Sequence, residues 1–247
     1  MNRHEQIAAA LHEVRARIAD AAARAGRAAG SVRLVAVSKK MPPDAVRAAL
    51  AAGQRDFGEN YAQELRDKRA ALAADGLPPA RADEAAIQWH YLGPLQRNKV
   101  KYLAGQVALI QSVDAADLLA EIDQRTATFG DGARQACLVQ VNVAGETRKG
   151  GVPTHRLAAL LDSFVTASHT TCAGLMLIPP FDDDEGETRR HFAALRALAE
   201  REARVARPHV ELTELSMGMS GDFAAAVAEG ATIVRVGTAI FGDRPPR

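Results

Sequence analysis

Lys39 is the strongest candidate nucleophile in this chain. It stands just after the apolar run Leu34-Val35-Ala36-Val37, with Ser38 between. A lysine that condenses with a carbonyl must present a neutral amine, which desolvation or nearby positive charge favours. The end of a buried strand gives that setting. On spacing alone the alternative is a solvated loop lysine, because charged side chains are mostly exposed. Lys40 is adjacent and points elsewhere if the pleat persists.

A second group is rich in small residues. Ser216-Met217-Gly218-Met219-Ser220-Gly221 and Gly237-Thr238 could form a phosphate cup. Gly218, Gly221 and Gly237 let backbone approach an anion, and a helix is expected to start near Gly221. Helix starts and small-residue turns bind phosphate through N–H groups. Simple N-capping by Ser220 is the competing explanation. Arg235 lies inside the apolar strand Thr232-Ile233-Val234-Arg235-Val236, where a buried cation needs a partner. A structural ion pair and a ligand contact both fit. His90 is similarly open between a satisfied core histidine and a site residue. The loop at 146–151 lacks P-loop glycine spacing. No His-Glu-x-x-His, Cys-x-x-Cys or Gly-x-Ser-x-Gly motif occurs, so neither metal nor serine hydrolysis has motif support.

These groups need a frame that brings distant positions together. Residues 2–28 form an amphipathic helix, with Ile7, Leu11, Val14 and Ile18 three to four apart. A repeating unit of short apolar run, turn and helix-period stretch follows. Strands are expected at 33–38, 54–57, 88–92, 107–112, 136–142, 172–178, 212–216 and 232–236. Helices are expected near 43–52, 60–74, 95–104, 115–128, 154–168, 185–206 and 221–229. Strands separated by helices are parallel. Cys137-Leu138-Val139-Gln140-Val141 reads as a strand buried on both faces. The count of eight favours a single (β/α)8 barrel of the TIM type over an open doubly wound sheet. No linker divides residues 1–247, and 75–86 reads as a long surface loop. In such a barrel the active rim lies at the C-terminal strand ends. Lys39, Asn60, Ser216, Gly237 and Thr238 all fall there.

Composition narrows the function classes. The 247 residues are 47% hydrophobic and 25% charged, with a net charge of +1. That balance is globular and gives nucleic-acid binding little electrostatic support. The N-terminus lacks signal-peptide order, and no apolar run approaches the roughly 20 residues a membrane helix needs. Cys137 and Cys172 read as small core residues, and a cytoplasmic protein is expected.

Five segments carry a family resemblance. They are Leu34-Val35-Ala36-Val37-Ser38-Lys39, Phe57-Gly58-Glu59-Asn60-Tyr61, the run from Trp89 to Lys99, the run from Ser216 to Asp222, and the run from Val234 to Gly242. In order and across nearly the whole chain, they resemble the pyridoxal-phosphate homeostasis protein family. The resemblance implies the barrel of the alanine racemase N-terminal domain with an extra N-terminal helix, and pyridoxal 5'-phosphate (PLP) held as a Schiff base on Lys39. It implies phosphate contacts from Ser216, Gly237 and Thr238, with Asn60 and Met176 near the cofactor and Arg235 opposite the pyridine nitrogen. His90, Met217, Gly218 and Ser220 match the motifs and join the expected cofactor-binding set. Lys40-Met41-Pro42 departs from the usual Thr-Lys-Pro or Thr-Val-Pro.

Two functions are compatible with this. One is a non-catalytic PLP carrier, monomeric, with apo PLP enzymes as recipients and no catalytic residues. The other is a racemase-like PLP enzyme acting on amino acids. Racemases resembling this barrel carry a second, β-rich domain that supplies a catalytic tyrosine. Here the chain stops at Arg247, and its three tyrosines are Tyr61, Tyr91 and Tyr102. The second base of a two-base racemisation is therefore expected to be missing. An arginine at the pyridine nitrogen offers no stabilising anion, which makes the ring a poorer electron sink.

Overall fold

Asn2 and Glu5 start the first helix by capping each other. The Asn2 side chain accepts from the Glu5 N–H at 3.0 Å and the Glu5 carboxylate accepts from the Asn2 N–H at 2.9 Å. The helix, α1 (Arg3–Arg24), buries Ile7, Leu11, Val14 and Ile18 on one face, as their spacing predicts. It ends short of residue 28. In this computed structural model the described residues are 1–74, 86–129, 132, 134–146, 150–180 and 184–243.

Among them, parallel strands close a barrel. These are β1 (Arg33–Val37), β2 (Asp56–Glu59), β3 (Gln88–Tyr91), β4 (Leu109–Val113), β5 (Gln135–Asn142), β7 (Thr170–Met176), β8 (Val210–Ser216) and β9 (Ile233–Val236). The two-residue β6 (Val152–Pro153) pairs only with β5. The β4–β5 and β1–β9 pairings complete the ring, so each of the eight barrel strands is paired on both sides. Around it run α2 (Pro43–Ala51), α3 (Ala62–Ala74), α4 (Ala116–Ala127), α5 (Leu157–Ser163) and α6 (Glu185–Glu202), with the short α7 (Phe223–Ala228) and α8 (Thr238–Phe241). No helix among the described residues is long and apolar enough to cross a membrane.

The pleat sorts the core into two parts. Val35, Leu109, Leu138, Met176 and Ile233 cluster inside the barrel. Leu34, Ala36, Phe57, Trp89 and Tyr91 face outward into the larger core under the helices. Each fully buried large side chain contributes about 1.5–3 kcal/mol relative to exposure. This alternation sends Val35, Val37 and Lys39 to one side of β1 and Ser38 to the other.

Several boundaries differ from expectation for local reasons. β2 starts at Asp56, because Gln54 is committed to a turn: its side-chain N–H groups donate to Leu34 O and Asp56 O, each at 2.7 Å. Residues 97–102 wind as a 3₁₀ helix where an α-helix over 95–104 is expected. The stretch 154–168 divides, with 3₁₀ turns on both sides of α5. β6 and α8 are too short to leave a periodic signal. Of the loop at 75–86, residues 75–85 lie outside the described residues, as do 147–149 of the loop at 146–151.

Candidate cofactor site

A cavity of about 680 Å³ opens at the C-terminal strand ends. Val37 at the end of β1, Lys39 just beyond it, Asn60 after β2 and Leu92 after β3 form one part of its wall. Ser220, Gly221 and Asp222 after β8, then Arg235, Gly237 and Thr238 on and after β9, form another. A side chain from each of several strands converges there, which is how barrels of this type build sites.

The half-buried Lys39 sits in a turn closed by the Met41 N–H donating to Ser38 O at 3.0 Å. Lys40 takes φ +63° there, a left-handed conformation that side chains other than glycine and asparagine rarely adopt. Such a residue costs about 1–3 kcal/mol and persists only where its surroundings hold it. A buried cluster on the helix side of the barrel wall does the holding. Lys68 of α3 donates to Ser38 O at 2.6 Å, to Glu59 Oε1 at 2.7 Å and to Glu64 Oε1 at 2.7 Å. Ser38 Oγ donates to Glu59 Oε1 at 2.7 Å, and the Lys40 N–H donates to Glu64 Oε1 at 2.5 Å. Both residues flanking Lys39 are thus fixed from behind. Burial pushes the Glu59 carboxyl up to about 7, against the attraction of Lys68 and the hydrogen bonds from Lys68 and Ser38. Its Oε2 has no hydrogen-bond partner among the described residues.

Asn60 reaches the wall because Gly93 lets two segments touch. A Cβ on Gly93 would lie 2.1 Å from the Asn60 carbonyl oxygen, so only glycine fits. Asn60 Oδ1 is buried and unpaired among the described residues. Gly218 plays a comparable part at φ +94°, where a Cβ would meet the Ala226 Cβ at 2.6 Å. It lets the turn after β8 pack on α7, and its carbonyl accepts the Arg235 N–H at 3.0 Å.

In that turn the N–H groups of Ser220 and Gly221 meet no acceptor among the described residues. Ser220 does not cap α7. Asp222 holds the N-cap position, and its carboxylate accepts from the Met219 N–H at 2.5 Å.

Arg235 is 4% exposed, and no carboxylate bonds it among the described residues. It donates to Ser216 Oγ at 2.7 Å and to Leu177 O at 2.9 Å. Desolvation pushes its guanidinium down to about 10, opposed by the charge of Asp222. The ion pair considered from the sequence is absent among the described residues.

The structure thus brings Lys39, Asn60, Ser220, Arg235, Gly237 and Thr238 to one cavity. Ser216 is fully buried behind the wall, its hydroxyl donating to Gln111 Oε1 at 2.6 Å while accepting from Arg235. Met176 lies in the barrel interior cluster and Met217 in the outer core. His90 is 1% exposed and bonded to Asp56 and Gln111, not to the cavity. Lys68, Glu64 and Gln111 are additions that the sequence reading missed. The signals were present: Lys68 falls on the apolar stripe of α3 between Leu65 and Leu72, and Gln111 shares the inward face of β4 with Leu109.

Comparison with known proteins follows the same outline. The model of the alanine racemase N-terminal domain family matches residues 10–245. The pyridoxal phosphate homeostasis protein of Aquifex aeolicus is 41% identical over 237 residues, covering 95% of this chain and 96% of that protein. The structure of PipY from Synechococcus elongatus with PLP bound superposes with a TM-score of 0.81 at 37% identity, covering 96% of this chain and all of that one. Alanine racemase from Corynebacterium glutamicum shares the fold, with a TM-score of 0.63 at 16% identity; the match covers 98% of this chain and 61% of the racemase.

Proposed function

Because the chain belongs to the alanine racemase N-terminal domain family, and within it to the pyridoxal phosphate homeostasis proteins, we propose that it binds PLP on Lys39 and serves intracellular homeostasis of that cofactor. One observation carries the reading. A half-buried lysine, a buried amide oxygen and turn N–H groups, the last two without partners among the described residues, share one cavity wall. An amine, a polar ring contact and an anion cradle are the three features that a phosphorylated aromatic aldehyde requires.

When bound, the cofactor supplies an aldehyde carbon open to capture by a primary amine. Lys39 supplies that amine, from a turn fixed on both sides by the Lys68 cluster. The N–H groups of Ser220 and Gly221, with Gly237 and the Thr238 hydroxyl, receive the phosphate. The buried Ser216 hydroxyl contributes through Arg235 instead of by direct contact. Asn60 meets a polar substituent of the ring. Arg235 faces the ring nitrogen and stays protonated at neutral pH even with its pKa pushed down to about 10. It therefore offers that nitrogen a donor and no anion.

The carrier reading is favoured over a racemase-like enzyme for two reasons. None of Tyr61, Tyr91 and Tyr102 lines the cavity, so no phenol stands ready as a second base there. The strongly similar relatives are named for homeostasis, whereas the racemase likeness is one of fold. We read the protein as a monomeric cytoplasmic carrier whose recipients are apo PLP enzymes. The test is an absorption spectrum of PLP-loaded protein before and after borohydride, with peptide mapping. The label is expected on the Lys39 peptide and absent in Lys39→Ala. Label on Lys40 or Lys99 overturns the assignment.

A further inference from the structure

A line of buried polar side chains crosses the barrel from the cavity to its far end. Arg235 Nη1 is 2.7 Å from Ser216 Oγ, and Ser216 Oγ is 2.6 Å from Gln111 Oε1. Gln111 Nε2 is 3.0 Å from His90 Nδ1, and His90 Nε2 is 3.0 Å from Asp56 Oδ1. Arg235, Ser216, Gln111 and His90 are each at most 4% exposed. Asp56 is the first residue of β2, so it sits at the strand starts, opposite the cavity. Its side chain is 24% exposed, 3.9 Å from Arg33.

The donors and acceptors along this line align in one direction. An arginine only donates and a carboxylate only accepts. Each of the three groups between them accepts once and donates once in the same sense. Ser216 gives its hydrogen to the Gln111 oxygen, and the Gln111 amide hydrogen goes to His90 Nδ1. His90 therefore carries its hydrogen on Nε2 and gives it to Asp56. Hydrogen bonds aligned in this way polarise one another in a low-dielectric interior. A core histidine with local partners needs none of this. Here a buried guanidinium with no bonded carboxylate among the described residues is connected, four links away, to one.

We infer that Asp56 and His90 are positioning residues for Arg235: they fix its orientation toward the bound ring through Gln111 and Ser216. The inference rests on the reading that Arg235 faces the cofactor. Neither Asp56 nor His90 lines the cavity, so any effect of theirs on the ligand must travel through the line. Removing the His90 acceptor frees Gln111 to turn over, which presents an amide N–H to Ser216 Oγ in competition with Arg235.

The test measures PLP affinity, the pH titration of the bound cofactor's absorption band and the apo-protein Tm in full-length His90→Leu, His90→Asn, Asp56→Ala and Arg235→Lys. Leucine keeps the volume of His90 without its acceptor, whereas asparagine can place an oxygen near the Nδ1 position. His90→Leu and Asp56→Ala are expected to weaken PLP binding roughly tenfold, about 1.4 kcal/mol. They should also shift the titration in the same sense as Arg235→Lys, with His90→Asn recovering most of the wild-type behaviour. A fall in Tm with an unshifted titration in both His90→Leu and Asp56→Ala overturns the inference and leaves the PLP reading standing. An unshifted titration in Arg235→Lys, or no binding by wild type, overturns both.

Discussion

Lys68 Nζ donates to the carbonyl oxygen of Ser38 at 2.6 Å, so a buried cation on α3 grips the residue before Lys39. The same ammonium holds Glu59 and Glu64, and Glu64 in turn holds the Lys40 N–H. The turn that presents Lys39 is therefore stabilised from the helix side of the wall. The left-handed Lys40 is what this grip must sustain.

Lys68→Met should separate stability from presentation of Lys39. Removing one partner of a buried ion pair costs about 3–5 kcal/mol, because the other charge is left uncompensated. Glu59 and Glu64 would be so exposed. Pairing the change with Glu59→Gln removes one stranded charge and should recover part of the Tm. The rate of borohydride-trapped PLP labelling at Lys39 should stay low in the double variant, since the Ser38 carbonyl remains unheld. Normal labelling in the double variant would remove the positioning role of the cluster.

Glu59 gives a pH dependence of definite sign. Burial raises its carboxyl from 4.5 to about 7 in the folded protein. A group with a higher folded-state pKa binds more protons folded than unfolded, so its contribution favours folding at low pH. That contribution is lost as the pH rises from about 4.5 through about 7. Glu59→Gln lacks the titration. The Tm of wild type minus that of Glu59→Gln should therefore fall as the pH rises across this window. A flat or rising difference would show that Lys68 keeps Glu59 ionised throughout.

The proposed phosphate cradle predicts discrimination between PLP and pyridoxal. Ser220 and Gly221 offer N–H groups without partners among the described residues, and Thr238 adds a hydroxyl at the same cavity. Hydrogen bonds to a charged group contribute about 1.5–3 kcal/mol each. Pyridoxal should bind at least tenfold more weakly than PLP, and Thr238→Ala should narrow the gap by weakening PLP alone. Competition titration against PLP gives both numbers. Equal affinities for pyridoxal and PLP would place the phosphate elsewhere.

Much of this arrangement is legible in the chain itself. Periodicity locates the eight barrel strands, since each is a short apolar run bounded by a helix. It misses β6 and α8, whose two and four residues are shorter than any period. Lys39, Asn60, Arg235, Gly237 and Thr238 are readable because each falls at or near a C-terminal strand end. Ser216, Met176, Met217 and His90 occur in the same motifs, yet the pleat turns them into the barrel or the outer core. A motif records which residues travel together without recording which of them line the cavity. Lys68 was hidden for the opposite reason: Glu64 and Lys68 are spaced like an ordinary surface pair on a helix.

The carrier reading makes the most exposed prediction, because it requires both an activity and its absence. A carrier must give up its cargo. The cavity opens at the rim of the barrel, and Lys39 is half-buried there, within reach of an incoming amine. PLP-loaded protein mixed with an apo PLP enzyme should therefore restore that enzyme's activity. Lys39→Ala, which cannot hold the cofactor covalently, should restore less at equal protein concentration. Turnover is the complementary measurement. With Arg235 protonated at the proposed ring nitrogen, a carbanion formed on the substrate would find a weak electron sink. Incubation with each L- and D-amino acid in deuterated water should accordingly give α-proton exchange far below enzymatic rates, which are on the order of 1 s⁻¹ or more. Exchange or racemisation at such rates with any amino acid would replace the carrier by a racemase-like enzyme. Failure to reactivate any apo enzyme would leave the protein a PLP binder with no case for delivery.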